Sequence, residues 1–361
     1  MNSAIALALI SLLPIANLVP SQTGLGLADD LQYVAQYDQY AASFTHSSKQ
    51  SIATAPQTKI IDDPESVTLT QAPTSDRKLL AALDPASDPK FQQIMQVAIA
   101  QELHQQSYGE MVQSMAAQLI GSGYREGLLD RSPQEKLVVS LTQFDCVLLV
   151  EIALALAMGV AVEDYTPTTL AKNVQSLRYS DGEVNGYCSR LHYFSDWIND
   201  NQKRGQVVEI GDRLGGLPLN KPLRFMSNHW QLYPKLIGSK ANRDCITAME
   251  KGINTQQISY VPTDKIRAAY GQLQPGDIIA IATEIEGLDV THTGLAYRHS
   301  DGNFGLIHAS PVGRVVVSHD LQAYIARQPQ AIGILVARPI SPGRSAQPQP
   351  DQEFAGSGVQ F

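Results

Sequence analysis

Three cysteines and eight histidines are the side chains in this chain best suited to nucleophilic or metal chemistry. Cys146 stands in Phe144-Asp145-Cys146-Val147, immediately before an almost entirely apolar run from Val147 to Met158. That run reads as a buried helix. A thiol at its start would feel the positive end of the helix dipole, which favours the thiolate. Asp145 is placed to cap the helix. Cys188 lies in the polar segment Gly186-Tyr187-Cys188-Ser189, and Cys245 follows Arg243 and Asp244 in a helical pattern. Any one of the three could equally be a small buried hydrophobe.

A nucleophilic thiol needs a base. Thr291-His292-Thr293-Gly294 opens one strand-like run, and Ile307-His308-Ala309-Ser310 closes the next. Asp301-Gly302 between them signals a hairpin turn, so pairing could bring the two histidines together. One imidazole would then take the thiol proton while the other group orients it. The pair could also be two zinc ligands, but no His-Glu-x-x-His spacing supplies a third.

Elements must position these groups. Apolar residues at helical spacing, from Met95 to Leu119, predict one long or two shorter helices over 89–121. Further helices are expected over 166–177, 189–201 and 242–252. Beyond the turn signal Pro275-Gly276 the pattern changes to short apolar runs at 277–282, 290–297, 304–309, 315–318 and 332–337. Helices followed by a meandering sheet predict an α+β domain with a mainly antiparallel sheet.

The folded unit is expected to span 91–341. Residues 29–90 are rich in Ser, Thr, Gln, Ala, Pro and Asp, and read as a linker that cannot bury enough apolar surface to order itself. Residues 342–361 read as a similar tail. Residues 1–28 carry no charged side chain and end in Gly26-Leu27-Ala28, which is similar to an export signal lacking its basic start. The expected location is therefore the periplasm or cell envelope. A formal net charge of −8 argues against nucleic-acid binding. No apolar run in the mature chain reaches the ~20 residues of a membrane span. Three cysteines exclude both a disulfide-framework fold and an all-cysteine zinc site.

Taken together, the helix-start Asp145-Cys146, the Gly276-Asp277 strand, His292-Thr293-Gly294 and His308-Ala309-Ser310 resemble the NlpC superfamily of papain-like cysteine peptidases. Longer strings resemble the N-acetylmuramoyl-L-alanine amidase-like family within it, over about 110–340. They are Ser189-Arg190-Leu191-His192-Tyr193, Phe225-Met226-Ser227-Asn228-His229 and Gly287-Leu288-Asp289-Val290-Thr291-His292-Thr293-Gly294. The resemblance implies a papain-like domain with Cys146 as nucleophile, His292 as base and acid, and His308 as the orienting residue. It implies no metal or organic cofactor. The implied substrate is a muropeptide or peptidoglycan fragment, cut at the amide between N-acetylmuramic acid and L-alanine. Tyr124 corresponds to a tyrosine that shapes the superfamily's site, although Gly123 replaces the usual proline. Leu148 and Leu149 stand where the family has a threonine and an aromatic. Asp145, Arg190, His192, Ser227, His229 and Asp289 are the remaining substrate candidates, with Arg190 alternatively paired to Asp181 or Asp196. A stem-peptide endopeptidase, a zinc amidase and an inactive wall-binding protein are the other readings. Cys188 and Cys245 could pair, but spacing does not fix their distance.

Overall fold

The computed structural model describes residues 74–84 and 87–343. The expected export signal, the linker up to residue 73 and the tail from 344 lie outside the described residues. The folded unit nevertheless starts earlier than expected. Helix α1 (Thr74–Leu80) belongs to it, with Leu83 bridged to Val139. The Ser87 hydroxyl, fully buried, accepts the Leu141 N–H at 2.8 Å. These contacts reach residues 50 or more positions away, which local composition does not reveal.

The 89–121 stretch forms two helices, α2 (Asp88–Ala100) and α3 (Tyr108–Ala117). Glu102 takes a left-handed conformation between them, and Ser107 with Glu110 forms a capping box that restarts the helix. Strands β1 (Gly123–Tyr124) and β2 (Gln143–Phe144) then pair in parallel, directly ahead of α4 (Cys146–Ala161). Helix α4 is apolar nearly all round and accordingly buried on nearly every side. Helix α5 (Pro167–Arg178) follows, capped by Thr166.

The helix expected at 189–201 begins later, as α6 (Phe194–Lys203). Residues 187–189 form one 3₁₀ turn, so Arg190 and His192 lie in an extended link rather than on a helix. Strands β3 (Val207–Glu209) and β4 (Leu217–Pro218) lead to the short helices α7 (Phe225–Asn228) and α8 (Pro234–Ile237), then to α9 (Lys240–Ile253). Strands β5 (Ser259–Pro262), β6 (Ile278–Thr283), β7 (Val290–Arg298), β8 (Phe304–Ser310), β9 (Arg314–Val317) and β10 (Ala331–Pro339) complete the sheet, with α10 (Leu321–Ala326) before the last.

The strand order is β2-β1-β9-β8-β7-β6-β10-β5-β4, with β3 also on β10. All pairings except β1 with β2 are antiparallel. Its centre, β9-β8-β7-β6-β10, consists of the five runs read from the sequence. The other five strands are two to four residues long and lie outside those runs. The fold is thus α+β, as expected. One face of the sheet, through Ile278, Ala280, Leu295, Ile307 and Leu335, packs on α4 and its neighbours. The opposite face, through Ile279, Ile281, Ala296 and Leu306, packs on α10. A third apolar cluster, including Tyr193, Phe225, Tyr233 and Ile246, joins the segment ahead of α6 to the helices between β4 and β5.

Candidate active site

Cys146 is the first residue of α4 and is only 6% exposed. Asp145 caps the helix, its carboxylate accepting the Leu148 N–H at 2.8 Å. Asp145 therefore serves the helix rather than facing substrate. Burial pushes its carboxyl up to about 6. Leu148 and Leu149 point into the core and are fully buried, so the departures there concern packing behind the thiol.

The thiol differs from the sequence expectation. Burial, with the nearby Asp145 charge, pushes Cys146 up to about 12. The Thr293 side chain and N–H, and the Val147 N–H, oppose that rise in part. Thr293 Oγ1 is nonetheless buried without closing a formal hydrogen bond. The helix dipole is thus outweighed, because desolvation of a thiolate costs more than a helix end returns. The thiol is neutral at rest.

Thr293 places the thiol against β7, one residue from His292. The β7–β8 ladder runs only as far as Leu295 opposite Ile307. Extending its register puts His308 opposite Gly294, diagonal to His292 on the same face. There His292 Nε2 and His308 Nδ1 are 2.9 Å apart, with the rings nearly perpendicular. Gly294 permits this approach. A Cβ at that position would meet the Ile307 carbonyl oxygen at 2.4 Å. Among the described residues, no imidazole forms a hydrogen bond to the Cys146 sulfur. His292 Nε2 is thus engaged by His308. Burial lowers His292 to about 4, and burial together with His292 lowers His308 well below the usual range. Both rings are neutral at physiological pH. Among the described residues no third metal-ligating group joins them.

Tyr124, on β1 opposite Phe144, stands close enough to Cys146 for the two charges to oppose each other. Its hydroxyl donates to Glu126 at 3.1 Å. It is the one substrate candidate brought to the thiol from another element.

The other candidates are held elsewhere. Arg190 pairs with Asp130 at 2.8 Å and approaches Glu135 at 3.5 Å, and not with Asp181 or Asp196. Lys235 binds the same carboxylates, and both cations lie over the Tyr187 ring. This four-charge cluster ties the 124–135 segment to the 187–192 segment and α8. At 6% exposure, Arg190 offers its guanidinium to these partners rather than to a ligand. His192 bonds the Tyr187 carbonyl at 2.8 Å, and burial with nearby Arg190 lowers it to about 3. It is a neutral packing group. His229 donates Nδ1–H to the Phe225 carbonyl and stacks on that ring, capping α7. Ser227 lines a cavity of about 170 Å³ with Trp230 and Arg243, away from the thiol within the helical insertion.

Asp289 is also corrected. It is 1% exposed, and Oδ2 accepts both the N–H and the hydroxyl of Ser195 at 2.8 Å, while Oδ1 accepts the Val290 N–H. Tyr193, the residue ahead of α6, provides no side-chain cap. Asp289 caps α6 from the start of β7 instead, and is unavailable to substrate. Cys188 and Cys245 form a disulfide with Cα atoms 6.2 Å apart, fastening the 187–189 turn to α9. A cavity of about 440 Å³ opens at the ends of β4, β5 and β6, lined by Lys221, Tyr260 and Glu284, and none of Cys146, His292 or His308 borders it. Sequence reasoning missed Thr293, Asp130, Glu135, Lys235 and Tyr324. Only Thr293 carried a signal, its place inside the His-Thr-Gly string.

A family model described as N-acetylmuramoyl-L-alanine amidase-like matches residues 114–334, a span containing Cys146, His292 and His308. No curated protein matches. The structure is similar to the crystal structure of an N-acetylmuramoyl-L-alanine amidase from Bacteroides uniformis, at 32% identity and a TM-score of 0.61, covering 65% of this chain and 99% of that one. A second structure from that organism, also described as an N-acetylmuramoyl-L-alanine amidase, gives 32% identity and the same TM-score over 64% and 98%. A Legionella pneumophila protein at 21% identity, with a TM-score of 0.51 over 71% of this chain and 96% of its own, shares the fold. The chain belongs to the N-acetylmuramoyl-L-alanine amidase-like family.

Proposed function

We propose that this protein is a cysteine amidase of the NlpC type that hydrolyses the bond between the lactyl group of N-acetylmuramic acid and L-alanine. The observation that carries the mechanism is the 2.9 Å His292–His308 pair beside Thr293, whose side chain and N–H face Cys146. A thiol and an imidazole that are both neutral call for proton transfer as the sulfur attacks. Cys146 S–H passes its proton to His292 Nδ1 while sulfur bonds the amide carbon. His308, accepting from His292 Nε2–H, steadies the imidazolium that forms. The Cys146 N–H at the helix start is a natural donor to the developing oxyanion. His292 then protonates the leaving amine of L-alanine, and water cleaves the thioester.

Export is part of the same reading. The Cys188–Cys245 disulfide supports it, since such bonds persist chiefly in oxidising compartments. A helix-start cysteine against an antiparallel sheet, with histidines on adjacent strands, supports NlpC membership.

The test is mass spectrometry of products from a defined muropeptide. The expected products are free lactyl-sugar and an intact peptide beginning with L-alanine, with no turnover by a folded Cys146→Ala protein. A cut within the stem peptide would make it an endopeptidase. Retained activity in Cys146→Ala would remove the cysteine mechanism.

A further inference from the structure

Behind the histidine pair, on the face of the sheet opposite α4, stands Tyr324 of α10. Its hydroxyl lies 3.4 Å from His308 Nδ1, and its ring centroid is 4.7 Å from that of His308. His308 Nδ1 therefore has two polar neighbours, His292 Nε2 at 2.9 Å and Tyr324 Oη at 3.4 Å. That nitrogen carries either one proton or one lone pair, never both.

The two cases have opposite consequences at the thiol. If His308 Nδ1 bears the proton, it donates to His292 Nε2. Neutral His292 must then carry its own proton on Nδ1, the nitrogen to which the proposed mechanism passes the Cys146 proton, and cannot accept another there. If His308 Nδ1 is bare, it accepts from His292 Nε2–H and from the tyrosine O–H together. His292 Nδ1 then keeps its lone pair. In the bare arrangement both neighbours can point a hydrogen at the one lone pair, the imidazole N–H at 2.9 Å and the phenol O–H at 3.4 Å. The protonated one makes a single bond and leaves the phenol oxygen as a distant, weak acceptor. Tyr324 and His308 are 8% and 2% exposed, so water has little access to that nitrogen.

We propose that Tyr324 is a positioning residue that selects the Nε2–H tautomer of His308, and through it the Nε2–H tautomer of His292, so that His292 Nδ1 is free to take the thiol proton. This deepens the cysteine-amidase reading and rests on it. The tautomer itself can be observed without any turnover.

The experiment is ¹⁵N NMR of the full chain labelled at histidine, with resonances assigned through His292→Gln and His308→Gln. The expected wild-type spectrum near pH 7 shows both rings bare at Nδ1 and protonated at Nε2. In Tyr324→Phe, which keeps the ring, His308 should shift towards the Nδ1–H form. Turnover of a muropeptide should fall about 3–10-fold in kcat, the effect of one modest hydrogen bond, with KM within twofold. A wild-type His308 protonated at Nδ1 overturns the proposal even if the variant does not fold. So does a folded Tyr324→Phe protein with unchanged tautomers or unchanged kcat. If the tautomers behave as expected while wild type cleaves no muropeptide, the amidase reading fails and the tautomer selection stands.

Discussion

Replacing Asp289 separates a structural role from a substrate role, because its carboxylate is the side-chain cap of a helix 94 residues earlier in the chain. In Asp289→Ala the Ser195 N–H and hydroxyl and the Val290 N–H lose their acceptor, and Ser195 is 1% exposed. Hydrogen bonds to a charged acceptor contribute roughly 1.5–3 kcal/mol each, and buried donors left unpaired add to the cost. Burial raises the Asp289 carboxyl, which shows that part of this gain is offset by desolvation. The expected loss is about 3–6 kcal/mol, a large share of the ~5–15 kcal/mol that stabilises a typical domain. Asp289→Asn can keep its oxygen towards Ser195 but turns an NH₂ towards the Val290 N–H. Its loss should be about 1.5–3 kcal/mol. Urea unfolding followed by circular dichroism measures both. KM for a muropeptide, measured on the folded fraction, should stay within about twofold. A loss below about 1 kcal/mol for the alanine variant, together with a KM raised tenfold, would refute the reasoning and return Asp289 to the substrate site.

Removing the disulfide through Cys188→Ser with Cys245→Ser should cost about 4 kcal/mol by chain entropy for a separation of 57 residues, read as a lower Tm that a reductant reproduces in wild type. Arg190→Met leaves Lys235 as the cation facing Asp130 and Glu135, whose side chains are 3% and 0% exposed, and should cost about 3 kcal/mol while kcat per folded molecule is kept. A stability loss under 1 kcal/mol with a large rise in KM would instead mark Arg190 as a substrate ligand. His292 is lowered from 6.5 to about 4, so between those pH values the unfolded chain binds a proton that the folded one does not. Stability supplied by its burial is present above 6.5 and lost as pH falls towards 4. His292→Gln should flatten the pH dependence of unfolding free energy in that window by about 1.4 kcal/mol per pH unit. An unchanged slope would mean that His292 is not buried as a neutral ring.

The sequence by itself determined the parts of this protein that are local or long enough to repeat. The apolar run after Cys146 specifies a buried helix whatever surrounds it, and Asp145 one residue earlier specifies its cap. Five apolar runs with turn signals specify the central strands. The separation of sixteen positions from His292 to His308 brings them together once a hairpin forms. What only the tertiary structure decided involves partners far apart in the chain. The strands β1 to β4 are two or three residues long, too short for a period, and form because neighbouring strands offer them a ladder. Arg190 took Asp130, 60 residues away, over the acids near it in sequence, because folding brought that carboxylate into the same dry enclosure. Asp289, beside the histidine string, became a helix cap for the same reason. The neutral thiol and neutral histidines followed from burial, a property of the packed molecule that no motif contains, since the charge of a titratable group is set by the solvent it loses and the charges it gains.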